Sequence, residues 1–141
     1  MVGYDDDEPA RRALDHAIEE AVQRKAEIVV VAVAEMPFNP EGPQSFGTLD
    51  DSPARMIPLV APPELEPILA HARERVAAAG VPADFLWAAG EPAAAIVAAA
   101  QDRKAALVVV GKHHHGFLTR FLGTDVAAEV EREAGCPVVV V

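Results

Sequence analysis

Short unbroken apolar runs alternate along this chain with stretches where apolar residues recur every three or four positions. Residues 28–33 and 107–110 are continuous and rich in β-branched side chains. Runs of that kind read as strands buried on both faces, as in a parallel sheet. Residues 137–141 form a last such run, 1–4 are the stub of a first strand, and 84–88 a further strand, less uniformly apolar and so nearer an edge. Between them lie four helical patterns. The first begins near Pro9, with Asp7 as its cap and apolar positions at Ala10, Leu14, Ala17, Ile18, Ala21 and Val22. The second spans 64–79, with Leu65, Ile68, Leu69, Ala72 and Val76 on one face, Pro67 in its first turn and Gly80 ending it. The third is alanine-rich and runs from Gly90-Glu91-Pro92 to about Asp102. The fourth covers 124–133, capped by Thr124 and ended by Gly135, with Val126, Ala127, Val130 and Ala134 as its stripe.

The resulting order, β-α-β-α-β-α-β-α-β, predicts an α/β fold: a doubly wound parallel sheet with helices on both faces. Ligands of such sheets sit beyond the carboxyl ends of the strands, where the strand order reverses. The loops after Tyr4 and after Val110 then become the places to look. The second is the richer. Leu107 to Val110 runs into Gly111, a polar loop with two more glycines, and the capped helix start. Glycines let backbone amides approach an anion, and the helix N-terminus adds a favourable dipole. The same pattern also serves many strand-to-helix turns with nothing bound. Residues 36–63 show no periodicity and hold seven of the twelve prolines, which suggests a lid or a mobile loop.

Composition narrows the classes. At 141 residues the chain fits one domain, spanning 1–141, and 51% apolar content excludes wholesale disorder. Twelve basic against 22 acidic side chains give a net charge of −10 with no basic cluster, which argues against nucleic acid or an anionic membrane as partner. No run approaches the ~18 apolar residues of a membrane span, and no secretory leader pattern opens the chain. The single cysteine, Cys136, excludes an internal disulfide and suits a cytoplasmic protein. It precedes Pro137 at a strand start and reads as a small buried residue.

Several pieces in order resemble the universal stress protein family over essentially the whole chain. They are Val2-Gly3-Tyr4-Asp5, Glu8-Pro9-Ala10-Arg11-Arg12-Ala13-Leu14, Gly90-Glu91-Pro92-Ala93-Ala94-Ala95-Ile96, Leu107 to Gly111, Gly123-Thr124, and Cys136-Pro137-Val138-Val139-Val140. The resemblance implies five parallel strands in the order 3-2-1-4-5 and a homodimer paired through the last strand, Pro137 to Val141. In one branch it implies bound ATP; Mg²⁺ is expected only if ATP is bound. That branch carries a glycine, two residues, a glycine, nine residues, then Gly-Ser or Gly-Thr. Gly111 matches the first glycine and Gly123-Thr124 the final pair. The middle glycine falls on His114, the interval to Gly123 is one residue shorter, and Gly116 lies two positions beyond. By the same resemblance Asp5 stands beside the nucleoside and the backbone of Val33 faces the adenine. Asp6-Asp7 occupy positions where the family usually has Gly-Ser, and two extra carboxylates repel a polyphosphate unless a cation intervenes. The other branch binds no ATP and tends to carry His-His after the fourth-strand glycine, as His113-His114 do here.

The remaining polar clusters each have a plain reading beside the chemical one. His113-His114-His115 would suit a metal if Asp5 to Asp7 supplied a further ligand. As ordinary loop residues they donate to an anion together with Lys112 and Arg120, and no resident metal is expected. The two serines, Ser45 and Ser52, lie in the proline-rich stretch without a nucleophile signature, and no general base stands out. His16 and His71 read as surface residues on helices. The expectation is a cytoplasmic, dimeric stress-response regulatory module that binds adenine nucleotide, with a nucleotide-free dimer or a slow ATP hydrolase as the alternatives.

Overall fold

In the computed structural model, which describes residues 1–34, 62–112 and 125–141, the two periodicities become one parallel sheet flanked by helices. The elements follow in order as β1 (Val2–Gly3), α1 (Glu8–Arg24), β2 (Ile28–Ala34), α2 (Leu65–Ala79), β3 (Ala83–Ala89), α3 (Pro92–Asp102), β4 (Val108–Val110), α4 (Val126–Glu133) and β5 (Val138–Val140). The strand order is β3-β2-β1-β4-β5, every pair parallel. β3 is therefore an edge strand, as its mixed composition suggests, and the order reverses between β1 and β4. Although β1 is short, Tyr4 N–H donates to Val31 O at 2.9 Å and Val109 N–H to Met1 O at 2.9 Å, so its pairing extends on both sides.

Strand alternation sorts the side chains between the two helical layers. Val2, Tyr4, Ile28, Val30 and Val109 pack with Ala10, Leu14 and Ala17 of α1 and with Ala72 and Val76 of α2. On the opposite face Val108 and Val110 pack with Ala93, Ile96 and Val97 of α3 and with Ala127 and Val130 of α4. Leu14 is fully buried, and cutting it to alanine would cost about 2–5 kcal/mol in transfer and cavity terms. The small side chains of α3 bury Ala93, Ala95, Ala99 and Ala100 as well as Ile96 and Val97, which lets that helix lie close to both the sheet and α4.

Two details differ from the sequence reading. The cap of α4 is Asp125 and not Thr124: its carboxylate accepts from Ala127 N–H at 3.1 Å and Ala128 N–H at 3.3 Å. Asp125 holds the extended conformation a cap requires (φ −77°, ψ 102°), so the helix begins at Val126, the first residue of its apolar stripe, and not at 124. Val22 falls on the spacing of the α1 stripe but is 57% exposed, and Ala21 beside it is the last residue of α1 to be buried. The proline-rich stretch is described only from residue 62 onward, so its reading as a lid lies outside the described residues. The caps at Asp7 (from Ala10 N–H, 2.8 Å) and Gly80 (φ +67°) are those expected. Among the described residues no helix is long and apolar enough to cross a membrane.

Candidate functional site

Where the strand order reverses, β1 and β4 run side by side, and the start of α1 lies against the end of β4. Gly111 follows β4 directly and is buried against that start: a β-carbon there would lie 2.6 Å from the carbonyl carbon of Pro9 and 2.8 Å from its oxygen. The glycine thus allows a backbone-to-backbone approach that no other residue permits. Beside it opens a crevice of about 80 Å³ whose walls include Asp5, Val33, Pro92, Val110, Gly111 and Val126. Ligand pockets usually measure ~300–1,000 Å³, so the described residues form one wall of a site and not a complete enclosure. Asp5, Val33 and Gly111, drawn from three separate parts of the sequence, share that wall. His113, His114, Gly116, Gly123 and Thr124 lie outside the described residues, as does the idea of a histidine metal site.

The three successive aspartates divide their work. Asp7 caps α1 with its carboxylate. Asp6 adopts a left-handed conformation (φ +66°), one an aspartate tolerates better than most side chains, and its Oδ1 accepts from Arg11 Nε at 3.0 Å and from the Tyr4 hydroxyl at 2.8 Å. The same oxygen meets Nδ1 of His71 on α2. Asp5 is exposed, stands on the crevice wall and accepts the Asp7 N–H at 3.2 Å. The Arg11 guanidinium, with the hydrogen bonds from His71 and Tyr4, holds the Asp6 carboxyl well below the usual carboxylate range. Burial, then the Asp6 hydrogen bond, pushes the Tyr4 hydroxyl well above its ordinary value. Reading His71 as a plain surface residue missed this contact. No local pattern links position 71 to position 6, and only the packing of α2 beside α1 brings them together.

A larger cavity, about 240 Å³, lies at the amino ends of β1, β2 and β4, lined in part by Glu20, Arg24, Arg103 and Lys104. Two of its cations are already paired, Arg24 with Glu20 at 2.6 Å and Arg103 with Asp84 at 2.7 Å. It is also at the end of a parallel sheet away from the strand termini where ligands gather, so the smaller crevice is the better candidate.

The family model described as universal stress protein family matches residues 1–141. The chain belongs to the universal stress protein family. Among solved structures it is similar to a universal stress protein in complex with cAMP, at 26% identity and a TM-score of 0.71, covering 99% of this chain and 92% of that one. It is similar to the universal stress protein from Archaeoglobus fulgidus in complex with dAMP, at 25% identity and a TM-score of 0.63, covering 99% and 93%. A protein of the family from Burkholderia pseudomallei, 24% identical with a TM-score of 0.66 over 99% and 92%, shares the fold. No curated protein matches the chain. The strand order 3-2-1-4-5 implied by the sequence motifs is the order this stress protein has.

Proposed function

We propose that this universal stress protein binds an adenine nucleotide at the reversal between β1 and β4. One observation carries the reading: of three consecutive aspartates only Asp5 stands on the crevice wall, while Asp6 is engaged by Arg11 and His71 and Asp7 by the start of α1. Arg11 offsets the charge of Asp6, Asp7 is turned to the amino end of α1, and Asp5 is the carboxylate that faces the crevice, suited to accept from a ribose hydroxyl. The backbone at Val33 offers the adenine its hydrogen bonds, and Gly111 leaves the wall free of side chain. Lys112 and the loop that leads to Gly123 and Thr124 meet the phosphates, with Mg²⁺ between them when the nucleotide is ATP. The complexes of its relatives with cAMP and dAMP support the same ligand class.

Calorimetric titration of the untagged protein with AMP, cAMP and ATP, the last with and without Mg²⁺, tests the proposal. Binding to adenine and not guanine nucleotides is expected, with Gly123→Val abolishing the preference for ATP over adenosine. Absence of heat at millimolar ligand, about −4 kcal/mol of binding free energy or weaker, would place the chain with the nucleotide-free branch of its family.

A further inference from the structure

Three elements meet at one oxygen. Asp6 Oδ1 takes hydrogen bonds from Tyr4 at the end of β1, from Arg11 on α1 and from His71 on α2, 65 residues away. Because Asp6 remains ionised at neutral pH it is only an acceptor, so the proton of the contact sits on Nδ1 of His71. The Tyr4 hydroxyl, 3.3 Å from that nitrogen, gives its own proton to Asp6. The backbone consequence lies one residue earlier. Asp6 at φ +66° reverses the chain so that its own side chain turns toward α2, while Asp5 faces the crevice. The turn also delivers the Asp7 N–H to the Asp5 carboxylate. The direction of Asp5 therefore depends on the conformation of Asp6, and α2 fastens that conformation through His71.

We propose that His71 is a positioning residue for Asp5: by holding the Asp6 carboxylate it fixes the geometry in which Asp5 reads the sugar of a bound nucleotide. The inference rests on the nucleotide reading above and adds to it a residue that touches no ligand. His71 is about a third exposed, so its replacement should leave the fold intact, which thermal melting checks.

The test compares His71→Leu, which removes the donor, with His71→Asn, whose amide nitrogen can stand in for Nδ1. Each is titrated with AMP and with the 2′,3′-dideoxy analogue. His71→Leu should weaken AMP about tenfold, the size of a hydrogen bond to a charged group partly lost, and leave the analogue unchanged. His71→Asn should restore AMP affinity to within about twofold. Equal weakening of both ligands would make His71 merely structural, and no change in either would remove it from the site. If the parent protein binds neither ligand, the nucleotide reading fails by itself. The positioning claim is then decided by the backbone amide resonance of Asp7 in the free protein. It should move in His71→Leu but not in His71→Asn, while that of Ala10 stays in place; an unmoved Asp7 resonance would overturn the claim.

Discussion

Replacing Gly111 by alanine should test the closest contact in the site. The new β-carbon would sit 2.6 Å from Pro9 C, 2.8 Å from Pro9 Cβ and 2.8 Å from Pro9 O. Carbon atoms at rest approach to ~3.5–4.0 Å, so α1 and β4 must separate by roughly 1 Å. Two of the three obstructing atoms belong to the backbone, and the proline ring cannot rotate away. Overpacking of this kind costs ~1–3 kcal/mol, and the rigid obstacle puts Gly111→Ala near the upper end. In a chain of this size that lowers Tm by about 6–12 °C, using ~2–4 °C per kcal/mol. Gly3→Ala is the internal control. Its β-carbon would meet Ile96 Cδ1 at 2.7 Å, the free end of a side chain that can turn aside, so a loss under ~1 kcal/mol is expected. Thermal unfolding of both variants, followed by circular dichroism and by the fluorescence of the single tryptophan, Trp87, gives the comparison. Equal melting temperatures for the two, or a Gly111→Ala protein within about 2 °C of the parent, would refute the argument that backbone contact makes Gly111 necessary.

Asp6 is held ionised in the folded chain, so its stabilisation is complete above the ordinary carboxylate pKa of ~4 and fades as pH falls below it; the difference in Tm between parent and Asp6→Asn should shrink on acidification, and a constant difference would show that the charge is not involved. Tyr4 is the chain's one tyrosine, and its hydroxyl is pushed above the usual value. Tyrosinate absorbance should therefore stay flat through about pH 10 and rise only as the helical signal is lost, whereas early ionisation of the folded protein would contradict its burial. Asp125→Ala should cost about 1 kcal/mol in denaturant unfolding, since two amides of α4 lose their acceptor; an unchanged midpoint would return the capping role to Thr124. Finally, β5 lies at the edge of the sheet with Val138, Val139 and Val140 half-buried, a surface suited to pairing with a second copy. Val139→Asp should give monomer or aggregate in light scattering, and a dimer that survives it would place the interface elsewhere.

Element type, element order and the parallel class were legible in the sequence because they depend on local periodicity: a run such as Ile28 to Val33 has little choice but a buried strand, and Ala10, Leu14 and Ala17 suit one face of a helix. The strand order came from motif resemblance and not from periodicity, since nothing in a strand's own residues says which strand it will lie beside. Helix ends were less certain, and the cap of α4 moved by one residue because threonine and aspartate both make good caps and only the backbone conformation at Asp125 chose between them. Asp5, Val33 and Gly111 were candidates from sequence, yet their shared crevice exists only because β1, β2 and β4 are neighbours. The different fates of Asp5, Asp6 and Asp7 could not be read from three identical letters. They follow from the left-handed turn at Asp6 and from a histidine 65 residues away, and both are set by how α1 and α2 pack side by side on one face of the sheet.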